Sequence, residues 1–287
     1  MSDIHGRFSD LMKMLEVISF SDADELYILG DIIDRGPESA EILIWAVNDA
    51  PANIHFLAGN HEDLMLGIAR RDPIGLSMSP EHPWAYNGGF QTAESIVEKT
   101  TAAWRQDKML PWLESLLPYQ CIEVGGKPFM LVHAGFEPSA LPGSPDGTFE
   151  LFTTEFNLDP SANQGSYNLG AFGIQRAQDM LWARDRWLCW EGTPPMDVVF
   201  GHTYIGPRQL INMEVAGTLS VLGGGGNRIA HIGARRHCID CGGSYSTSHF
   251  DWPVAIACLR LDDMAEFYID FDRTPPQVSD PYADFFD

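Results

Sequence analysis

The sequence predicts an α/β fold built on a parallel sheet, and two observations predict it. Helix-period and strand-like segments alternate through the first third of the chain, the pattern of βαβ units. Successive apolar runs also end on polar residues, as strands do when their carboxyl ends share one site.

Taken in order, Leu11, Met14, Leu15 and Ile18 have helical spacing, with Ser9 placed to cap the helix. ELYILGD (25–31) reads as a short buried strand ending in a carboxylate. SAEILIWAV (39–47) reads as a helix set off by Gly36 and Pro37. NIHFLAGN (53–60) is the next strand and HEDLMLGIARR (61–71) the next helix. Residues 72–118 read as a helical insert carrying Trp84, Trp104 and Trp112. CIEVGGKPFMLVHAG (121–135) is a hairpin turning on two glycines. The stretch 136–173, rich in Pro, Gly, Asn and Ser, is expected to be a long surface loop. MDVVFGHT (196–203) is a buried strand ending in a polar loop. Strands follow in NRIAHIGARRHCIDCGG and PVAIACLRL, with the glycine run at 223–226 as a turn. A single domain over 1–272 is expected, and 273–287, with Pro275 and Pro276, is expected to be disordered.

Of 287 residues, 45% are hydrophobic and 20% charged, the composition of an ordinary globular protein. A net charge of −22 disfavours DNA, RNA and anionic membranes. An anionic substrate would have to be met by positive charge concentrated locally. No apolar stretch has the length to span a bilayer, and no leader pattern opens the sequence. Five cysteines, an odd number, do not suggest a disulfide framework, so a reducing, cytoplasmic location is expected. Cys238 and Cys241 have C-x-x-C spacing but no second pair to complete a zinc site, and read as strand cysteines.

The strand ends carry the chemistry. Asp3 and His5 come first, then Asp31 with Asp34-Arg35-Gly36, then Asn60-His61-Glu62, then His133, then His202. Singly, each has a bland explanation: Asp-x-His pairs arise by chance, and a lone histidine is usually a satisfied core residue. Together, five strand ends would bring two aspartates, one asparagine and three histidines to one place. That mixed oxygen and nitrogen set suits manganese, iron or zinc. It is too many ligands for one ion and fits two ions sharing a carboxylate.

SDIHG, GDIIDRG, GNHE, HAG and GHT, in that order, resemble the calcineurin-like metallophosphoesterases. More narrowly, they look like the phosphoprotein phosphatase family and its bacterial serine/threonine phosphatases, over residues 3–242. The resemblance implies a four-layer α/β/β/α sandwich with a helical insert. It implies a first metal on Asp3, His5 and Asp31, and a second on Asp31, Asn60, His133 and His202, with a bridging hydroxide as nucleophile. Manganese is expected, with iron, zinc or nickel as alternatives. It further implies His61 as general acid oriented by Asp34, whose charge should favour the protonated imidazole. Arg35 would bind phosphate oxygens together with a second arginine. Arg184, in LWARD, stands where that arginine is expected, and Arg176 and Arg186 compete for the role. Family members carry a hydrophobic strand ahead of SDIHG, so a truncated first strand is expected here, with the true start upstream of Met1.

On motif grounds the expected activity is dephosphorylation of phosphoserine or phosphothreonine in proteins. The alternative is hydrolysis of dinucleoside polyphosphates. In the best-known hydrolases of that kind, as the resemblance goes, the block matching GNHE ends in Asp and the DRG block often lacks its Asp, whereas this chain has Glu62 and Asp34. CIDCGG (238–243) resembles an IDTG-like segment of both bacterial branches and does not discriminate. A non-catalytic relic is disfavoured because no ligand is missing, and a nuclease because the surface is acidic without a basic stripe. The expected partners are therefore a phosphoprotein or a small phosphoester, with no nucleic acid and no membrane.

Overall fold

The computed structural model of the chain describes residues 1–141, 166–205, 221–222, 228–243 and 254–271. The first helix, α1 (Phe8–Val17), turns Leu11 and Met14 into the core, as their spacing predicts. Ser9 is not its cap. It lies inside the first turn, where its backbone N–H donates to Glu38 Oε2 at 2.9 Å and its hydroxyl donates to the same carboxylate. A carboxylate from a later connection thus satisfies an orphan N–H at the positive end of the helix.

β1 (Leu26–Ile28), α2 (Ser39–Asn48) and β2 (Ile54–Phe56) form the expected βαβ unit, the strands parallel with Ile28 opposite Phe56. Residues 1–3 run along the other edge of β1. The Met1 amine donates to Tyr27 O at 2.8 Å, Leu29 N–H donates to Met1 O at 2.8 Å, and Asp3 N–H donates to Gly30 O at 3.2 Å. That is the bonding of a short parallel strand beside β1. α3 (Asn60–Ala69) follows β2. The insert comprises α4 (Phe90–Lys99), α5 (Ala102–Trp104) and α6 (Leu110–Ser115), with wide π turns at Ala85–Gly89 and Arg105–Met109. Residues 71–82 lead into it as turns and irregular chain.

β3 (Tyr119–Val124) and β4 (Lys127–Val132) make the predicted hairpin. Gly125 and Gly126, at φ 59 and 80, supply the two left-handed residues of a tight type I′ turn. The long surface loop expected over 136–173 lies largely outside the described residues, and its described ends depart from the expectation. Phe136 and Phe172 are fully buried with ring centroids 4.6 Å apart, because apolar residues scattered among the turn formers find the same core. Next come β5 (Ser166–Asn168), β6 (Ile174–Arg176), α7 (Ala177–Trp182) and α8 (Asp185–Leu188). The remaining strands are β7 (Asp197–Phe200), β8 (Val221–Leu222), β9 (Ala230–Ile232), β10 (Arg236–Cys238), β11 (Ala255–Arg260) and β12 (Ala265–Asp270). The glycine run at 223–226 and the tail 273–287 lie outside the described residues.

The larger sheet has the order β3-β4-β7-β10-β9-β8, parallel at β4–β7 and β7–β10 and antiparallel elsewhere. Three apolar clusters separate four layers. One lies among α1, α2, α3 and the insert on the outer face of β1. A second joins Leu29 and Leu57, at the ends of β1 and β2, to Phe129, Leu131, Val199 and the β11 alanines between the sheets. A third packs Val132, Val198 and Phe200 against Met180, Trp187 and Leu188 on the far side. This is the α/β/β/α sandwich. All five thiols are free, and Cys238 and Cys241 are buried at and just beyond β10. No helix among the described residues is long and apolar enough to cross a membrane.

Phe129 is fully buried between the sheets, whereas Ile174 is 64% exposed. Phe129→Ala should cost about 3–5 kcal/mol in urea unfolding. Ile174→Ala should stay within about 0.5 kcal/mol. Equal effects would mean the two sheets do not share a core.

Candidate active site

Eight of the strand-end residues singled out in the sequence arrive in one buried place. Asp3, His5, Asp31, Asp34, Asn60, His61, His133 and His202 are each 7% exposed or less. Their positions follow from strand ends meeting short, strained loops. Among the described residues nine non-glycines adopt left-handed φ, and six of them are Asp3, His5, Asp31, Asp34, Arg35 and His202. Such conformations cost about 1–3 kcal/mol each and persist where surrounding bonds over-determine them. Glu62 supplies much of that determination: its carboxylate accepts the backbone N–H groups of Asp31 at 2.8 Å, Ile32 at 2.9 Å and Gly59 at 2.9 Å. It thereby locks the loop after β1 to the loop after β2.

Two groups of ligand atoms form around Asp31: His5, Asp31 and His61 on one side, and Asp31, His133 and His202 on the other. Asp31 Oδ2 is 3.6 Å from His5 Nε2 and 3.8 Å from His61 Nε2, while Oδ1 is 3.5 Å from His133 Nε2. Asp3 Oδ1 stands 4.0 Å from His5 Nε2. Its other oxygen is occupied, accepting the His202 backbone N–H at 2.9 Å and the Ser2 hydroxyl.

The tautomers can be read from the outer partners. His5 Nδ1 faces Ile33 O at 3.0 Å and His133 Nδ1 faces Leu29 O at 2.7 Å. A carbonyl only accepts, so both Nδ1 atoms carry the proton and both Nε2 atoms turn lone pairs inward. His133 Nε2 then meets Asn60 Oδ1 at 2.9 Å, His202 Nδ1 at 3.1 Å and an oxygen of Asp31. Burial holds His133 below the ordinary imidazole pKa, so its Nε2 is an acceptor toward these neighbours. Lone pairs converging on one point are the signature of a cation site, and carbonyl-oriented histidines are its usual support. The residues present fit two divalent metals sharing Asp31.

Charge tells the same story. Burial pushes Asp3 up to about 6 and Asp31, Asp34 and Glu62 each up to about 7, and holds His5, His61 and His202 well below 6.5. Arg35 offsets this at Asp31 and Asp34 only in part, since burial is the larger effect at both.

The catalytic pair departs from expectation in one respect. His61 Nδ1 lies 2.6 Å from Asp34 Oδ2, the orientation predicted. Asp34 was expected to favour charged His61. Instead burial, and after it Arg35, depresses the imidazole, while burial raises Asp34. Burial thus moves both members toward their neutral forms. Asp34 is itself held by residues that carry no sequence signal for the role. Trp84 of the insert donates Nε1–H to Asp34 Oδ2 at 2.7 Å, and Asp34 donates its N–H to Ser39 Oγ at 2.9 Å.

Arg35 is exposed at the mouth, reaching Asn87 Oδ1 at 3.3 Å. Of the three candidate second arginines, Arg184 is the one that touches a ligand strand end, with Nη1 3.4 Å from His202 O and 3.3 Å from Thr203 Oγ1. Arg176 and Arg186 pair with Asp179 and Glu137 farther out. The structure also adds Asp240, buried and raised well above the ordinary carboxylate range by burial and then by Asp3, its Oδ1 accepting Gly242 N–H at 2.8 Å.

A family model described as calcineurin-like phosphoesterase matches residues 1–209. The chain belongs to the calcineurin-like phosphoesterase family. Its members are dimetal phosphoesterases, in keeping with the two ligand groups around Asp31. Among curated proteins, the chain is similar to the symmetrical bis(5'-nucleosyl)-tetraphosphatase of Buchnera aphidicola, 43% identical over 67 residues, 23% of this chain and 24% of that one. It is similar to the proteins of that name from Methylobacillus flagellatus, 32% identical over 137 residues (47% and 42% of the two chains), and Paracidovorax citrulli, 28% over 138 residues (48% and 43%). The chain thus matches less than half the length of each of these relatives. A solved structure of a hypothetical protein from Pyrococcus horikoshii aligns over 94% of this chain and 85% of its own at 16% identity, with a TM-score of 0.45. The motif-based ordering put protein phosphatase first, but these relatives carry the name of the alternative.

Shared use of Asp31 sets a metal-content test. Asp31→Asn should lose both equivalents of manganese by elemental analysis, and His202→Ala only one. Loss of both in each variant would contradict two overlapping sites. Asp3 at about 6 and Asp31 at about 7 must shed protons to ligate. Apparent manganese affinity should therefore climb as pH rises from about 5.5 and level off above about 7. A flat calorimetric profile would contradict the assignment.

Proposed function

We propose that the chain hydrolyses dinucleoside polyphosphates at a dimetal centre, with Asp3, His5 and Asp31 on one metal and Asp31, Asn60, His133 and His202 on the other. The observation that carries this is the single carboxylate, Asp31, shared by two ligand groups, with His61 and two arginines around it. The relatives' names support the choice of substrate. When bound, two divalent metals, manganese first in our reading, polarise phosphoryl oxygens and lower the pKa of a water.

The chain's own residues do the rest. Arg35 and Arg184 hold phosphate oxygens, their planar forks matching that geometry. Asp34 fixes the His61 ring through Nδ1, leaving Nε2 to face the reacting phosphate. The negative charge of the polyphosphate chain arriving beside His61 favours its protonated form. The acid is thereby charged by the substrate it serves.

A second reading, dephosphorylation of phosphoserine or phosphothreonine in proteins, is favoured by Asp34. An acid so firmly held suits a poor leaving group such as an alkoxide. The metal-loaded protein should show its highest kcat/KM on diadenosine tetraphosphate when compared with a phosphopeptide panel and p-nitrophenyl phosphate. A preference for phosphopeptides would reverse the order of the two readings. His61→Ala should retain metal. Its kcat should fall about 10²–10⁴-fold on alkyl phosphates, and less on the dinucleotide, whose leaving phosphate needs little protonation. Equal losses on both would remove His61 as the acid.

A further inference from the structure

Beside the candidate centre lies a cavity of about 390 Å³ that the reaction as described leaves unused. Its walls are Phe136 and Glu137, just after β4, together with side chains from 176–186. Its size falls in the range of small-ligand sites, roughly 300–1,000 Å³. Two of its walls also touch the centre. Arg184 reaches His202 O at 3.4 Å and Thr203 Oγ1 at 3.3 Å, and the Trp182 ring stands edge-on to His202 at 5.9 Å. The groove and the candidate centre therefore share two walls.

Three arginines line the groove: Arg184, next to the centre, then Arg176 and Arg186. The outer two are built alike. Arg176 donates Nε–H and Nη2–H to Asp179 at 2.8 and 2.7 Å, and Arg186 Nη2 lies 2.9 Å from Glu137 Oε1. In each pair the acid is sheltered and the base is offered outward. Asp179 is 15% exposed against 67% for Arg176, and Glu137 18% against 75% for Arg186. Glu137 is further tied back by the Ser139 N–H at 3.1 Å and the Ser139 hydroxyl at 2.7 Å. The carboxylates thus hold the guanidiniums in place, and each guanidinium keeps N–H groups beyond those its partner uses. Exposed pairs of this kind contribute little to stability, so stability does not account for them. The lining carries three arginines and three carboxylates, Glu137, Asp179 and Asp185, so what it offers an anion is the outward N–H groups of Arg176 and Arg186 and not a net positive field.

We propose that the groove binds the phosphate chain of the leaving half of a dinucleoside polyphosphate, with Arg176 and Arg186 as specificity-determining residues. The inference rests on the reading of the site as a dinucleoside-polyphosphate hydrolase and adds where the second half of the substrate lies. A simple monoester, ending at the attacked phosphorus, would not reach these arginines.

The test compares the manganese-loaded full chain with Arg176→Ala/Arg186→Ala, using diadenosine tetraphosphate and p-nitrophenyl phosphate. Arg260→Ala serves as control, since it removes a like-charged member of an exposed pair, with Asp263, elsewhere on the surface. The double variant should raise KM for the dinucleotide about tenfold and lower the ratio of the two kcat/KM values by a similar factor, while the control leaves that ratio in place. On the unaltered chain, KM for the dinucleotide should rise with salt more steeply than KM for the monoester, a result that needs no variant to fold. An unchanged ratio with active dinucleotide hydrolysis, or equal losses on both substrates, overturns the groove assignment alone. A wild-type chain that cleaves p-nitrophenyl phosphate but not the dinucleotide overturns the reading of the site, and the groove with it.

Discussion

One carboxylate sets the geometry of the site. Asp31 presents one oxygen to His133 and the other to His5 and His61, so it can serve two ions only while its side chain points between those histidines. Its orientation is set by the backbone. Asp31 sits at φ 53 directly after Gly30 at φ 84, and a Cβ on Gly30 would lie 2.3 Å from Gly59 N. The loops after β1 and β2 can approach this closely only because glycine stands there. Their approach brings Glu62 within reach of three backbone N–H groups and lets His61 N–H donate to Asp31 Oδ1 at 3.0 Å.

That arrangement concentrates unfavourable terms. Six strained backbones and a set of buried acids lie within one small volume. Neither would persist in a loosely packed protein. The three apolar clusters on either side and between the sheets hold the strand ends in place, so the fold stabilises what the site destabilises. Metal binding acts in the same direction, since cations favour the ionised acids that burial opposes. Stability and function are therefore coupled through the same carboxylates.

The parts of the molecule legible in the sequence were those written in local pattern. Period and punctuation located α1, α2, α3 and the β3–β4 hairpin, and the polar residues closing each apolar run located the side chains that gather around Asp31. Interactions between distant segments were not legible. Nothing near Ser9 announces that Glu38 will satisfy the start of α1. Nothing around Trp84 shows that its indole, fifty residues along the chain from Asp34, will hold that aspartate against His61. The lowering of the His61 pKa is not legible in the sequence for a related reason. The neighbouring carboxylate is visible in the sequence, but the depth at which both groups are buried is not, and burial outweighs the partner.

Substrate choice was the hardest feature to read because the motifs describe chemistry that the two readings share. Glu62 was taken as a mark of the protein phosphatases, yet in the structure it clamps two loops, a service any dimetal site on this scaffold needs whatever leaves. Asp34 is different, since it acts through His61 on the departing group. An alkoxide leaving from serine requires a proton at the moment of bond cleavage, whereas the phosphate released from an anhydride departs as a stable anion. The ligands say that phosphorus is attacked. In the proposed reaction, what departs would be governed by His61 with its aspartate and by the walls beyond Arg184, where one reaction could be turned to different substrates.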